Sequence, residues 1–196
     1  RVNSRNIGGV SDWSVVFKFT VSTLCKKLYL QSGWNIVSVP VKSQTMNSQV
    51  IFPNFTSPTY GYQNGYQTKT TLENGKGYWI RYSVSDSIEV CGERISYDTI
   101  PLTTGWNLIG VYDKEVVKNN ITTTPQNIIN SPFYGYSNGY SVPTVLSVGK
   151  GYWVRTTQKG VINIPVGMMA KSGNNEEEAI TINPECAVTF FLDLLP

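Results

Sequence analysis

Six tyrosines stand in two matching groups: Tyr60, Tyr62 and Tyr66 within PTYGYQNGY (58–66), and Tyr134, Tyr136 and Tyr140 within PFYGYSNGY (132–140). Aromatic faces stack on the apolar faces of sugar rings, and Gln63, Asn64, Ser137 and Asn138 supply hydrogen-bonding groups beside them. On that reading the two tyrosine hairpins are the ligand-binding sites of a carbohydrate-binding module. A packing reading competes with it. Strand alternation puts Tyr60 and Tyr62 on one face, where cross-strand aromatic pairs shield a sheet. By the same logic Trp34, Trp79, Trp106 and Trp153 read as interior filler, and packing is the preferred reading for both sets.

Other chemistries find little support. Histidine is absent, which removes the commonest general base and the commonest metal ligand together. Neither a Ser–His–Asp nor a Cys–His site can be assembled from this chain alone. Asp86, Glu89 and Glu93 lie near one another in sequence, as do Asp98, Asp113 and Glu115, but neither set recurs beside the other aromatic motifs. Glycosidase chemistry needs two carboxyls fixed across a cleft. Gly75-Lys76-Gly77 and Gly149-Lys150-Gly151 lack phosphate-loop spacing and lead into an aromatic strand where a helix should begin. They read as turns that need a positive φ. Cys25, Cys91 and Cys186 share no CxxC spacing. Three buried thiols is the preferred reading, with one disulfide and a free thiol as the alternative. No catalytic residue, metal ligand or cofactor is assigned, and the chain is expected not to be an enzyme.

Composition narrows the partners. The 16 Lys+Arg barely exceed the 13 Asp+Glu, and the longest basic run is Lys26-Lys27, so no nucleic-acid face is expected. No stretch approaches the ~20 apolar residues of a membrane span. The chain opens at Arg1 inside a strand-like segment, which reads as a processed or excised piece.

The elements that position the aromatics come in duplicate. LQSGWNIVSVPV (30–41) returns as LTTGWNLIGVYD (102–113), and LENGKGYWIR (72–81) as LSVGKGYWVR (146–155). A repeat of this length sets the architecture. Abundant Thr, Ser, Asn, Gly and Tyr favour strands and polar turns. The expected fold is all-β: two homologous antiparallel modules, sandwich-like or barrel-like, with short helical crossovers and terminal β-hairpins. Residues 1–23 form an opening hairpin, 24–96 the first repeat, 97–167 the second, and 168–196 a linker with a closing hairpin. Strands are expected at Trp34–Val41, Gly77–Tyr82, 87–91, Trp106–Val111, Gly151–Thr156 and Val161–Ile164, the last as partner of the strand before it. Asn64-Gly65 and Asn138-Gly139 mark tight hairpin turns. Helical spacing suggests a short helix within 43–52, and Thr124 with Pro125 suggests another over 124–130.

The order of these motifs resembles the duplicated GWN/GYW β-modules of large secreted and surface proteins of bacteria, type IX secretion substrates among them. The residues that carry the likeness are Leu30, Gly33, Trp34, Asn35, Ser38, Pro40, Tyr60, Tyr62, Gly65, Tyr66, Leu72, Gly75, Gly77, Tyr78 and Trp79. In the second copy they are Leu102, Gly105, Trp106, Asn107, Tyr134, Tyr136, Gly139, Tyr140, Leu146, Gly149, Gly151, Tyr152 and Trp153, with Gly110 and Tyr112 in place of Ser38 and Pro40. Asn6, Gly9, Ser11, Trp13 and Ser14 resemble the closing hairpin of a fibronectin type III domain, of which only that part is present. The resemblance implies a non-catalytic extracellular or cell-surface module that serves structure, adhesion or assembly. The apolar strand of residues 1–22 is expected either to pack on repeat one or to complete a sheet in a neighbouring subunit or domain by β-strand addition, with surface glycans as a further expected partner.

Overall fold

The computed structural model describes residues 5–6, 9–10, 23–95 and 99–164. The repeats lie in one compact unit, Ser22–Met168, and a short strand pair belongs to a second unit. That pair is β1 (Arg5–Asn6) and β2 (Gly9–Val10), which are antiparallel. The fibronectin-like strand and the closing hairpin expected in the tail lie outside the described residues, as does Cys186.

Repeat one contains β3 (Leu24–Leu30), β4 (Gly33–Ser38), α1 (Ser48–Ile51), β5 (Tyr60–Tyr62), β6 (Tyr66–Thr68), β7 (Gly77–Tyr82) and β8 (Asp86–Gly92). Four strands form one antiparallel sheet in the order β4-β7-β5-β6, and β3 pairs with β8. Val37, Tyr78, Ile80 and Tyr82 from the larger sheet, with Val39 just beyond β4, meet Leu28, Leu30, Ile88 and Val90 from the smaller one in a shared apolar core. This is the sandwich principle, with alternate residues of each strand turned inward. The predicted helix in 43–52 is present as the single turn α1, where the Asn47 side chain accepts the Gln49 N–H.

Repeat two contains β9 (Thr99–Leu102), β10 (Gly105–Gly110), β11 (Val116–Val117), a 3-10 turn at Lys118–Asn120, β12 (Thr122–Thr124), β13 (Gly135–Tyr136), β14 (Tyr140–Ser141), β15 (Val145–Leu146), β16 (Gly151–Thr156) and β17 (Gly160–Asn163). β10 pairs with β16, and Tyr134 just before β13 bridges Trp153 of β16, so the layout of the first repeat returns. A second core gathers Ile100, Leu102, Ile109, Val111, Tyr152, Val154 and Ile162.

Two expectations are corrected in this repeat. No helix covers 124–130: the β-branched run Thr122–Thr124 pairs with β17, and Asn127 takes a positive φ of 59°. β17 is also not the partner of β16. It joins β12 and β9, just as β8 joins β3. The structure does bear out the Asn-Gly hairpins, whose Asn64 and Asn138 both have φ 54°. Gly75 and Gly149 likewise take the positive φ expected of the turns before the aromatic strands.

The preferred reading of the cysteines is also overturned. Cys25 and Cys91 sit opposite each other on β3 and β8 and form a disulfide. Neither is buried. Among the described residues, Cys25, Glu89 and Cys91 are the one cluster of metal-ligating types, and both of its sulfurs are committed to that bond. No described helix is long and apolar enough to cross a membrane.

Candidate functional site

The site begins with strand alternation. On β4 and β7 every second residue enters the core of repeat one, and the residues between point to the opposite face. Ile36 and Trp79 on that face meet Leu108 and Trp153 from repeat two in a third apolar cluster. The two halves approach closely because glycines line the crossing. A Cβ on Gly77 would stand 2.9 Å from the Ile109 carbonyl oxygen, and the Gly151 Cα would be 3.4 Å away. Backbone bonds seal the seam reciprocally: Ser38 N–H donates to Gly149 O at 3.0 Å, and Gly110 N–H donates to Gly75 O at 3.2 Å. When a first residue meets a second, and their counterparts meet in the reverse order, the halves are related by a pseudo-two-fold axis.

The aromatic rings repeat this reciprocity. Tyr62 of repeat one packs edge-on against Trp153 of repeat two, with centroids 4.7 Å apart, and Tyr136 of repeat two packs against Trp79 at 4.8 Å. Trp34 meets Trp79 at 6.1 Å, and Trp106 meets Trp153 at 6.1 Å. The hairpin pairs Tyr62–Tyr66 and Tyr136–Tyr140 stand at 5.6 and 5.4 Å. Edge-to-face pairs of this kind add about 0.5–1.5 kcal/mol each beyond area burial. Burial pushes the Tyr66 hydroxyl above the ordinary tyrosine value, and the neighbouring Tyr140 and Tyr62 add to the rise.

Between these rings lie two open hollows. One, of about 480 Å³, is lined by Trp106, Tyr134, Tyr140 and Trp153 with Tyr62 from the other repeat. The other, of about 380 Å³, is lined by Trp34, Tyr60, Tyr66 and Trp79 with Tyr136 from the other repeat. Each repeat therefore lends one tyrosine to its sibling's hollow. Both volumes fall in the ~300–1,000 Å³ range of small-molecule sites. Every lining side chain is aromatic, and none is a carboxylate.

All six tyrosines singled out from the sequence belong to this one face. Tyr66 and Tyr140 are exposed at its surface, and Tyr60, Tyr62, Tyr134 and Tyr136 are half-buried. The tryptophans divide. Trp79 and Trp153 are buried in the third cluster, as interior filler should be. Trp34 and Trp106 are 38% and 40% exposed, so they are corrected from filler to walls of the hollows. By contrast, the tyrosines of the two Gly-Tyr-Trp strands are core residues. Their hydroxyls accept the Glu73 and Ser147 N–H groups at 2.8 and 2.7 Å. Burial pushes Tyr78 up to about 12 and raises Tyr152 as well.

Sequence reasoning missed Arg81 and Arg155. They stand directly opposite Trp34 and Trp106 in the strand register and two residues beyond Trp79 and Trp153, so each shares a sheet face with the tryptophans of one hollow without being among its lining residues. Their recurrence after each Gly-Tyr-Trp was the available signal. The composite build of each hollow had no sequence signal, because it depends on how the repeats meet. Comparison of the chain with protein-family models, curated proteins and solved structures finds no match.

Proposed function

We propose that this chain is a non-catalytic extracellular adhesion module that recognises carbohydrate through its twin aromatic hollows. The observation that carries this reading is the pair of hollows itself: the same constellation of two tryptophans and three tyrosines is built twice and left open both times. Large flat rings at a solvent-facing surface offer stacking area to the apolar faces of sugars, and tyrosine hydroxyls add hydrogen bonds at the rim. The Cys25–Cys91 disulfide supports an oxidising compartment. The likeness to GWN/GYW surface modules supports the same location. The absence of carboxylates among the lining residues supports binding without a covalent step. Partnering by strand addition was expected of residues 1–22, most of which lie outside the described residues.

A glycan array tests this reading. The wild-type chain is expected to retain a defined set of oligosaccharides, and a Tyr66→Ala/Tyr140→Ala double variant is expected to lose them. Both rings are exposed, so the variant should keep its fold. Equal retention by both proteins would overturn the reading.

A further inference from the structure

The rings line two hollows, and each hollow shares its sheet face with one arginine. Arg81 lies across the strand pair from Trp34, and Arg155 lies across from Trp106. Directly opposed residues of an antiparallel pair have their Cβ atoms about 5 Å apart on one face. Trp79 and Trp153 occupy the same faces two residues earlier, so each arginine shares one sheet face with both tryptophans of its hollow.

Both arginines are held in place through their backbones by matching bonds. The Ser57 and Ser131 hydroxyls accept the Arg81 and Arg155 N–H groups at 3.0 and 2.8 Å. The Thr56 and Asn130 N–H groups donate to the Arg81 and Arg155 carbonyls at 2.7 and 3.0 Å. Both side chains are exposed. Among the described residues the one salt bridge is Arg94–Asp113 at 3.1 Å, so neither guanidinium is neutralised by a carboxylate.

An uncompensated cation on the face of an aromatic hollow disfavours a cationic guest and favours an anionic one. The planar guanidinium matches a carboxylate bidentately. In a uronic acid the carboxylate is bonded directly to the pyranose ring. Resting on the carbohydrate reading above, we infer that the hollows take an acidic glycan. Each would seat the ring of a uronic-acid residue against its tryptophans and the carboxylate on Arg81 or Arg155.

Calorimetric titration of the full chain with hexagalacturonate, its methyl ester and neutral cellohexaose tests this inference. Hexagalacturonate is expected to bind on the order of tenfold more tightly than either neutral oligomer, and to lose that advantage at about 0.5 M salt. Arg81→Met and Arg155→Met keep an aliphatic stem and should each weaken the acidic ligand several-fold, with neutral binding unchanged. The corresponding Lys variants should retain part of the preference. Equal affinity for charged and neutral hexamers, or indifference to both Met variants, would overturn the inference while leaving carbohydrate binding intact. A chain that binds none of the three hexamers and retains nothing on the glycan array would lose both readings. A preference for hexagalacturonate that survives Tyr66→Ala/Tyr140→Ala would place the acid elsewhere and also overturn it.

Discussion

The asparagine of each Gly-Trp-Asn triplet closes the turn that presents the tryptophan beside it. Asn35 Oδ1 accepts the Gln31 N–H at 2.9 Å, and its Nδ2 donates to the Gln31 and Gly33 carbonyls at 2.8 and 3.1 Å. Asn107 does the same with Thr103 and Gly105. The glycines take φ values of 91° and 88°, a region that side chains disfavour. The triplet is thus a built unit: a left-handed glycine, an outward tryptophan and a buried clamp. Asn35→Ala should cost about 2–3 kcal/mol in urea unfolding, because it strands backbone groups near the core. A loss below about 0.5 kcal/mol would contradict the clamp. The motif was legible in the sequence, but its division of labour was not. Gly-Trp-Asn looks the same whether the indole turns in or out, and only the face presented by the neighbouring repeat decides.

At the scale of elements, strong local signals carried far. The Asn-Gly turns and the aromatic strands fold where the pattern places them, because period-two burial and turn chemistry agree there. The outer strands were harder to read. β3 hides its alternation behind Lys26 and Lys27, and β9 carries Pro101, which demotes a strand unless it lies at a sheet edge. β9 is the edge strand of the order β12-β17-β9, so the proline is tolerated. The sequence left a disulfide as the lesser alternative for the same reason, since pairing Cys25 with Cys91 requires knowing that β3 meets β8. This link spans 66 residues and constrains the unfolded chain of repeat one. A Cys25→Ser/Cys91→Ser variant should therefore lose about 4 kcal/mol of stability relative to the oxidised wild type. Equal unfolding midpoints with and without reductant would contradict that role.

For the whole molecule, duplication is the organising fact, and the interface between copies is where the candidate site arises. Neither repeat completes a hollow, since Tyr62 and Tyr136 each cross to the sibling's tryptophans. The pseudo-two-fold axis makes the hollows equivalent in kind, and the chain should therefore bind two equivalents of a short ligand. The most direct test is the stoichiometry of oligosaccharide binding by calorimetry, using a ligand that the glycan array identifies. Two sites per chain are predicted for the wild type, one for Tyr66→Ala, one for Tyr140→Ala and none for the double variant. A single site that survives all three substitutions would contradict the account.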